Sequence, residues 1–412
     1  MLSLRLAWRN LWRHKRRTWL TATAMIFSNV LLVFMICLQF GSYDMMIDNT
    51  LRAFSGHLQV QHRDYQDNPR LRSSIAGIED LAEELRQVLR DVAPGARVAA
   101  RAAAFALASS EQRSFGVQVI GVQPAAEAGV STLPGLVSEG RYLQAGGQAE
   151  IVIGAVMARN LKVGVGDEIT LLGSGHDGSF AAGVVEVVGL FESGSSDMDR
   201  SFAELPLDYF QDVFAMGGRG NTIAVAVDSL DAVPAAVAAA RAAVADRADL
   251  AVLDWNALHP GLRQAIQADM SSAWLMYGVL IVLVAFSVLN TQLMSVMERT
   301  REFGMISALG VRPRRLAALI MLETALMAGV GFVLGLLLGA LVSWYFQVHG
   351  FSYPGMAEVA ERFNLPAEMY PSISAFSLLL GPAVVFLFCL LAAVYPALRL
   401  FRLQPVEAMR AA

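Results

Sequence analysis

The two lysines of the chain are the first residues to consider, because phosphate chemistry often depends on one. A loop that cradles nucleotide phosphates reads GxxxxGK[ST], in which the lysine directly follows a glycine. Lys15 follows His14 and Lys162 follows Leu161, so neither lysine fits this motif. The sequence therefore predicts that the chain does not hydrolyse ATP through such a loop and holds no cofactor of its own.

Two further groupings combine residue types that occur in reaction centres. Ser174, His176 and Asp177 lie in one short run, which we interpret as a flexible turn, because a hydrolase triad is normally assembled from distant positions. His57 and His62 are five residues apart on a predicted strand, so their side chains point to opposite faces. No HExxH or CxxC motif is present. We therefore expect no catalytic residue and no metal site, and we class the chain as a non-enzyme.

Long apolar segments dominate the composition around these residues. The chain is 55% hydrophobic and only 17% charged, with a mean hydropathy of +0.47. Four segments with little or no charge exceed the roughly 20 residues that a helix needs to cross a bilayer. Their predicted bounds are 19–43, 272–297, 316–346 and 373–398. The sequence thus predicts a membrane protein with four transmembrane helices.

Basic residues beside these segments predict their orientation, because arginine and lysine favour the cytoplasmic side. The basic clusters lie in 1–18, in 298–315 and in the tail 399–412. These parts, including both termini, are assigned to the cytoplasm, and segments 44–271 and 347–372 then lie outside. Phe40–Tyr43 is not a small-x-small cleavage site, so we expect the first span to remain as an anchor rather than a cleaved signal peptide.

The outer segment 44–271 has the pattern of a folded domain. It holds 17 basic and 29 acidic residues up to position 270, a net charge of −12 that does not favour nucleic acid. Its elements follow the order β-α-β-β, then a β-rich insert, then β-α-β. An α+β domain of two subdomains is predicted, one from 44–123 and 222–256 and the other from 124–221. Ser193–Asp199 is interpreted as a mobile loop or, alternatively, as a contact site for a soluble partner.

The first 18 residues have the pattern of an amphipathic helix. Apolar residues recur at helical spacing, and arginines four positions apart occupy another face. Such a helix lies on the membrane lipid surface with its tryptophans among the head groups. Its role is either a topology signal alone or a collar that transmits motion from a cytoplasmic partner. The residues assigned to this surface helix are Arg5, Trp8, Arg9, Trp12 and Arg13.

The loop between the second and third spans combines charges with apolar side chains. A short helix is predicted from about Glu298 to Gly310, because glycine commonly ends a helix. Its apolar side chains would face the cytoplasm between charged flanks, so we expect them to dock into a groove of a partner. The docking residues are Glu298, Arg299, Arg301, Glu302, Phe303, Gly304, Met305, Ile306, Leu309 and Gly310.

Small residues recur every fourth position in the third span, at Gly331, Gly335 and Gly339. This spacing lets two helices approach closely in lipid. It indicates either packing within one chain or a subunit interface.

A carboxylate, Glu323, lies roughly two turns into the same span, where an ionised group is costly. We expect either a structural role, in which Glu323 reaches the surface or pairs with Arg314 or Arg315, or a role in coupling.

Three stretches together resemble a known family. The loop after span two reads ERTREFGMISALGV (298–311), which is similar to the FtsX-type permease signature, as is YPALRLFRLQPVEAMR (395–410). The stretch AEIVIGAVMARNLKVGVGDEITL (149–171) is similar to the second periplasmic subdomain of that family. With one span before and three after a large outer domain, the whole chain resembles MacB/LolC/LolE/FtsX-type permeases of ABC transporters.

This resemblance implies an architecture and a set of partners. The fold would be the type VII permease, with a Porter-like subdomain (44–123 and 222–256) and a Sabre-like subdomain (124–221). Two permease chains, identical or sister, would assemble with two copies of a cytoplasmic ABC ATPase that binds ATP and magnesium and contacts residues 298–311. A periplasmic carrier protein is a further expected partner. The location would be the bacterial inner membrane, with the outer domain in the periplasm.

The resemblance also implies mechanotransmission, in which ATP hydrolysis on the partner moves the periplasmic domain. The favoured function is extraction or export of an amphipathic or lipidated substrate, as in lipoprotein release. The alternative is a signalling permease of the FtsX type that activates a periplasmic cell-wall hydrolase. The long outer segment favours the transporter, because it resembles the two-subdomain type.

Overall fold

The computed structural model describes residues 2–13, 15–146, 148–356 and 368–402. Residues 357–367 of the predicted short outer loop and the part of the predicted tail beyond residue 402 lie outside the described residues. The side chain of Arg5 is also outside them.

The described residues form two compact units. The helical unit comprises the chain up to Asp44, Ala265–Tyr353 and the chain from Glu368 onward. The sheet unit is built chiefly from Met45–Gln264.

Helices occur in both units, and four of them are long and apolar enough to cross a membrane. In chain order the α-helices of the described residues are α1 Leu2–Arg13, α2 Lys15–Thr50, α3 Ile78–Val92, α4 Pro124–Val130, α5 Ala155–Leu161, α6 Ser196–Ser201, α7 Leu207–Val213, α8 Val233–Ala243, α9 Trp255–Leu258, α10 Pro260–Glu298, α11 Thr300–Ala308, α12 Pro313–His349 and α13 Ala375–Arg399. The four membrane-length helices are α2, α10, α12 and α13. Three of these run several residues past their predicted spans, because hydropathy marks only the apolar part of a helix whose backbone hydrogen bonds continue into polar sequence.

The glycine row of α12 packs against α2 of the same chain. A Cβ atom added at any of the three glycines would lie less than 3.0 Å from a Cβ atom of α2, closer than side chains pack. Asn29 reinforces the contact, since its Nδ2 donates to the carbonyl oxygen of Gly331 at 3.1 Å. The interpretation of this row as a subunit interface is therefore corrected to packing within the chain. The facing pairs are Gly331 with Met25, Gly335 with Asn29 and Gly339 with Val33.

The sheet unit is organised around one large, mostly antiparallel sheet. Its strands follow in space as β12-β1-β11-β3-β4-β9-β6-β8-β5, and β7 pairs with both β3 and β8. A separate small pairing joins β2 and β10. The strands are β1 Leu58–His62, β2 Ile75–Ala76, β3 Arg97–Ser109, β4 Ser114–Val122, β5 Val137–Gly140, β6 Glu150–Gly154, β7 Glu168–Ser174, β8 Phe180–Phe191, β9 Phe202–Pro206, β10 Arg219–Gly220, β11 Thr222–Ala226 and β12 Leu250–Asp254.

One face of this sheet is covered by helices. The stripe Ile78, Leu81, Leu85 and Leu89 of α3 recurs at helical spacing and is buried, and α3 packs against both α8 and β3. The apolar side chains beneath these helices join those of β3, β7 and β8 in a single hydrophobic core.

The strands of the two predicted subdomains join directly. β4 from the first set pairs in parallel with β9 from the second, from Gln118 opposite Phe202 to Val122 opposite Pro206. β3 also pairs with β7, with Leu107 opposite Leu172. The two sets of strands therefore share hydrogen bonds and a core.

The stretch Ser193–Asp199, predicted to be a mobile loop, forms a turn that is closed by its own side chains. Asp199 is buried, and its Oδ1 accepts from the backbone N of Ser193 at 2.8 Å and from its Oγ at 2.6 Å. This closed turn leads into α6. Its composition, rich in Gly, Ser and Asp, is typical both of disorder and of such self-bonded turns.

Candidate functional site: a polar network around α11

Helix α11 is a separate short helix between two membrane-length helices. α10 ends at Glu298, and Arg299 leaves the helical conformation with φ −100° and ψ 13° before α11 begins. Gly310 ends the turn with φ +89°, a left-handed conformation that favours glycine. Arg312 is extended, and Pro313 then starts α12, because proline fits the first turn of a helix.

The apolar side chains of α11 divide into a buried and an exposed set. Phe303 is only 2% exposed and belongs to a cluster with Val296, Leu316, Ile320 and Leu400. The expectation that Phe303 is an exposed docking residue is therefore wrong, because its own chain already provides its pocket.

Met305 and Leu309 form the exposed set, with 53% and 85% of their surfaces accessible. They protrude from a helix that is otherwise anchored through Phe303. Ile306 is partly buried against the same cluster as Phe303. The surface available to a partner is therefore narrower than the sequence indicates.

A polar network begins at Arg299, beside the buried face of α11. Its Nη1 lies 3.3 Å from both carboxylate oxygens of Glu323, and its Nε lies 3.3 Å from Oε2 of Glu302. Two residues of α1 complete the network. The Nδ2 of Asn10 donates to Glu323 Oε1 at 2.7 Å, and Nη1 of Arg13 lies 3.1 Å from Glu302 Oε1. α1, α11 and α12 are thus joined by charge-assisted hydrogen bonds.

Glu323 is buried, and its partner differs from the one predicted. Arg314 and Arg315 are exposed and precede Glu323 on the same helix by nine and eight residues. That separation is roughly 12 Å or more along a helix axis, so neither arginine is a helix-surface neighbour of Glu323. Arg299 reaches the carboxylate from the end of α10 instead.

The balance of charge makes this burial tolerable. Arg13 and Arg299 face Glu302 and Glu323, so the formal charges cancel within the network. A cavity of about 40 Å³ borders the network, and most of its lining is polar. Its polar lining includes Asn10, Thr18, Thr291, Gln292, Ser295, Arg299 and Glu323.

A ladder of tryptophans runs from α1 to the start of α2. Trp8 and Trp12, and again Trp12 and Trp19, meet edge to face with ring centroids 6.0 Å apart. All three rings are exposed, whereas Ala7 is fully buried. Arg9 is exposed, and Arg13 is drawn into the network with Glu302. α1 therefore combines an inner face that packs on α12 with an outer face of aromatic and basic side chains.

A second buried polar cluster lies in the sheet unit and has no motif that would reveal it in the sequence. Arg101 of β3 is paired with Glu127 of α4 through Nε at 3.0 Å and through a second, shorter contact from Nη2. Tyr142 donates to Oε2 of the buried Glu204 of β9 at 2.6 Å. Burial and the neighbouring charge of Glu127 raise the pKa of Glu204 to about 8.

The side chains that the sequence groups as a possible hydrolase triad do not form one. His176 Nε2 lies 3.3 Å from Ser74 Oγ, which accepts from Arg219 Nε at 2.8 Å. Asp177 instead accepts from the backbone N of Ser179. Among the described residues, no group of three or more His, Cys, Asp or Glu side chains could hold a metal ion.

Comparison with protein families gives two matches, one over most of α2 and most of the sheet unit and one over the other three membrane-length helices. Residues 18–243 match the MacB-like periplasmic core domain, and residues 274–405 match the C-terminal domain of FtsX-like permeases. The chain belongs to the FtsX- and MacB-type permeases of ABC transporters. The predicted family is thus confirmed, as is the fold class of four apolar membrane-length helices and an α+β domain. α11 and its network, apart from α1, lie within the FtsX-like match.

Individual relatives and one solved structure match parts of the chain. The lipoprotein-releasing system transmembrane protein LolC of Xylella fastidiosa (strain 9a5c) is 26% identical over 278 residues, and the match covers 64% of this chain and 65% of LolC. The macrolide export ATP-binding/permease protein MacB of Nitrobacter winogradskyi is 31% identical over 125 residues, 30% of this chain and 16% of that MacB. The crystal structure of the periplasmic region of MacB from Actinobacillus actinomycetemcomitans aligns with a TM-score of 0.36 and 11% identity, covering 54% of this chain and 98% of that structure.

Proposed function

We propose that this chain is a permease subunit whose motion is driven by a separate cytoplasmic ABC ATPase docked on α11. The observation that carries the proposal is the division of α11 into an anchored and an exposed side. Met305 and Leu309 protrude, while Phe303 and Arg299 tie the same short helix to the membrane helices. A partner that moves Leu309 would therefore also pull on the buried network.

The network supplies a route for this movement. A displacement of α11 changes the contacts of Arg299 and Glu302, and these face Glu323 on α12 and Arg13 on α1. Buried charge pairs have few alternative partners, so they favour discrete arrangements over gradual deformation. α1 would then act as the collar that follows the ATPase.

The assembly and the substrate form part of the same proposal. Two permease chains, identical or sister, would lie in a bacterial inner membrane with both termini in the cytoplasm and the sheet unit in the periplasm. The substrate would be amphipathic or lipidated, a class supported by the name and the similarity of the LolC relative. A periplasmic carrier would receive it.

The test replaces the exposed apolar side chains of α11 by charged ones. In the Met305→Asp/Leu309→Asp variant we expect the tagged chain, gently extracted from its own cells, to lose the stoichiometric ABC ATPase seen with the unaltered chain. A few central contacts contribute most of the binding energy of an interface, and an aspartate at such a contact cannot be buried at low cost. Mass spectrometry of the extracted complex measures the ratio.

The matched control is Met305→Leu/Leu309→Met, which keeps both side chains apolar and should retain the ATPase. Phe303 is left unchanged, because an aspartate at that buried position would unfold the cluster around it. An unchanged ATPase ratio in the double-aspartate variant would show that α11 is not the docking site.

A further inference from the structure

The face of the sheet opposite the α3 and α8 layer carries apolar side chains aligned in register. Leu107 of β3 lies opposite Leu172 of β7, which lies opposite Ala182 of β8. In adjacent rows Thr170 pairs with Val184, and Ser174 pairs with Phe180. Phe105, two residues from Leu107, projects from the same side of β3. These side chains define a strip across three neighbouring strands.

The strip is exposed, whereas the opposite side of the same strands is buried. Phe105 and Phe180 have 70% and 77% of their surfaces accessible, and Leu107 and Val184 are about half exposed. Their sequence neighbours Ala104, Ala106, Ala181 and Val185 belong to the core instead. A solvent-facing side of an antiparallel sheet normally carries polar residues, so an apolar strip here indicates a binding surface.

A cleft of about 240 Å³ continues the strip beside Phe105. One wall of the cleft is the segment that contains Tyr65 and Leu71. Asn221 joins this segment to β3 through hydrogen bonds. The Oδ1 of Asn221 accepts from the backbone N of Ala103 at 2.9 Å, while its Nδ2 donates to the carbonyl of Ser73 at 3.0 Å. The cleft is lined by Tyr65, Pro69, Arg70, Leu71, Ala103, Ala104, Phe105, Gln118 and Ser174.

The two ends of the strip carry side chains of opposite charge. Arg70 lines the cleft, and the guanidinium of Arg72 lies beside Gly178 in the turn that precedes Phe180. The other end of the strip carries Glu168 opposite Glu186. Arg70 is exposed, and its Nε donates to Oδ1 of Asn68 at 3.0 Å. It fits an anionic group held next to an apolar one.

We propose that the strip and cleft bind the acyl chain of an acylated, anionic peptide, with its charged group at Arg70. The proposal rests on the proposed function, because it places the lipidated substrate on the sheet unit. The apolar cleft favours a narrow chain over a flat protein surface, since a second sheet or a folded partner would cover the strip and leave the cleft unfilled. A matching occupant needs an apolar stem and a negative end.

The experiment uses the full chain in lipid nanodiscs. The probe is a palmitoylated acidic tripeptide with a photoreactive diazirine at the end of its acyl chain, and peptide mass spectrometry maps the labelled sites. We expect label on β3, β7 and β8 in the unaltered chain. In Phe105→Ser/Phe180→Ser the label on these strands should fall by at least about tenfold, because two exposed apolar contacts are lost. Both residues are exposed, so the substitutions leave the core intact.

Two matched comparisons sharpen the result. Val92→Ser removes a 44% exposed apolar side chain at the end of α3, away from the strip, and should leave the labelling unchanged. Arg70→Gln should abolish the preference of the chain for the acidic probe over a probe whose carboxylates are replaced by amides. Equal labelling of β3, β7 and β8 in the double serine variant would overturn the proposal. Label confined to the membrane helices would do the same.

Failure of this inference can be told apart from failure of the proposed function. The Phe105→Ser/Phe180→Ser variant should still be extracted with the ABC ATPase, because α11 is unchanged. If the ATPase stays bound but the strip of the unaltered chain is not labelled, only the acyl site is rejected. Absence of an ATPase from the unaltered chain rejects the proposed function.

Discussion

At the scale of single residues, the structure explains how an ionised carboxylate is accommodated within a membrane-length helix. Glu323 faces Arg299 and accepts from Asn10, so both of its oxygens have partners. A buried pair of this kind adds little stability compared with an apolar pair of the same size. Removal of one partner is much more costly, because the other charge is then left without compensation.

This asymmetry predicts the behaviour of Arg299→Gln. The variant leaves the Glu323 charge buried and should lose about 3–5 kcal/mol of stability. The thermal unfolding midpoint of the chain in nanodiscs measures the loss. Arg299→Met/Glu323→Met removes both charges and should recover most of the midpoint. An Arg299→Gln chain that unfolds at the temperature of the unaltered chain would contradict the structural importance of the pair.

Glu204 is the residue whose protonation should affect the sheet unit most visibly. It is buried on β9 and faces Tyr142, Glu127 of α4 and Arg101 of β3. Its pKa is raised from 4.5 to about 8, first by burial and then by the charge of Glu127. Between these two values the folded chain holds a proton that the unfolded chain releases.

Stability should therefore fall as the pH rises from about 5 to about 8, by up to about 1.4 kcal/mol per pH unit from this group. The contribution is fully present below pH 4.5 and lost above the raised pKa. Hydrogen exchange of β9 in the full chain, followed from pH 5 to pH 8, measures this loss of stability. Glu204→Gln mimics the protonated form and should flatten the pH dependence. Identical slopes for the variant and the unaltered chain would show that Glu204 titrates normally.

At the scale of elements, hydropathy and periodicity predict individual helices. The burial and the pairing of their side chains depend on partners from distant parts of the chain. The presence of four spans, α3 with its stripe and α11 between its charged flanks all follow from spacing along the chain. The burial of Phe303 does not, because it depends on Leu316 and Leu400, which α12 and α13 bring to it. The partner of Glu323 is hidden for the same reason. β5 and β9 are short, and only their pairing with β8 and β4 identifies them as strands.

The contact between α2 and α12 allows a sharp test at the element scale. A methyl group at Gly335 would overlap the Cβ of Asn29, whereas one at Gly329 of the same helix would meet no atom within 4 Å. Gly335→Ala should therefore destabilise the helical unit by about 1–3 kcal/mol, as overpacking of a tight contact does. Gly329→Ala is the control and should be neutral or stabilising. The thermal unfolding midpoints decide, and equal midpoints for the two variants would argue against this packing.

At the scale of the whole molecule, the two family matches share the membrane-length helices, with α2 in the MacB-like match and the other three in the FtsX-like match. The FtsX-like region contains apolar helices and the part of the network formed by Arg299, Glu302 and Glu323. The MacB-like region contains most of the acidic segment and its sheet. The four membrane-length helices are accessible to sequence reasoning, because each leaves a long apolar run in the sequence. The buried cluster of Arg101 and Glu204 is not, since its members are far apart in the chain.

The first and last strands of the sheet unit have a consequence for how such proteins arise. β1 and β12 are antiparallel neighbours, with Leu58 opposite Asp254 and His62 opposite Leu250. Neighbouring strands lie about 5 Å apart, so the chain leaves the sheet next to the point where it arrives. A domain whose two ends meet can be exchanged as a cassette between membrane scaffolds without rethreading the fold. New extracytoplasmic specificities could then be acquired while the cytoplasmic drive stays the same.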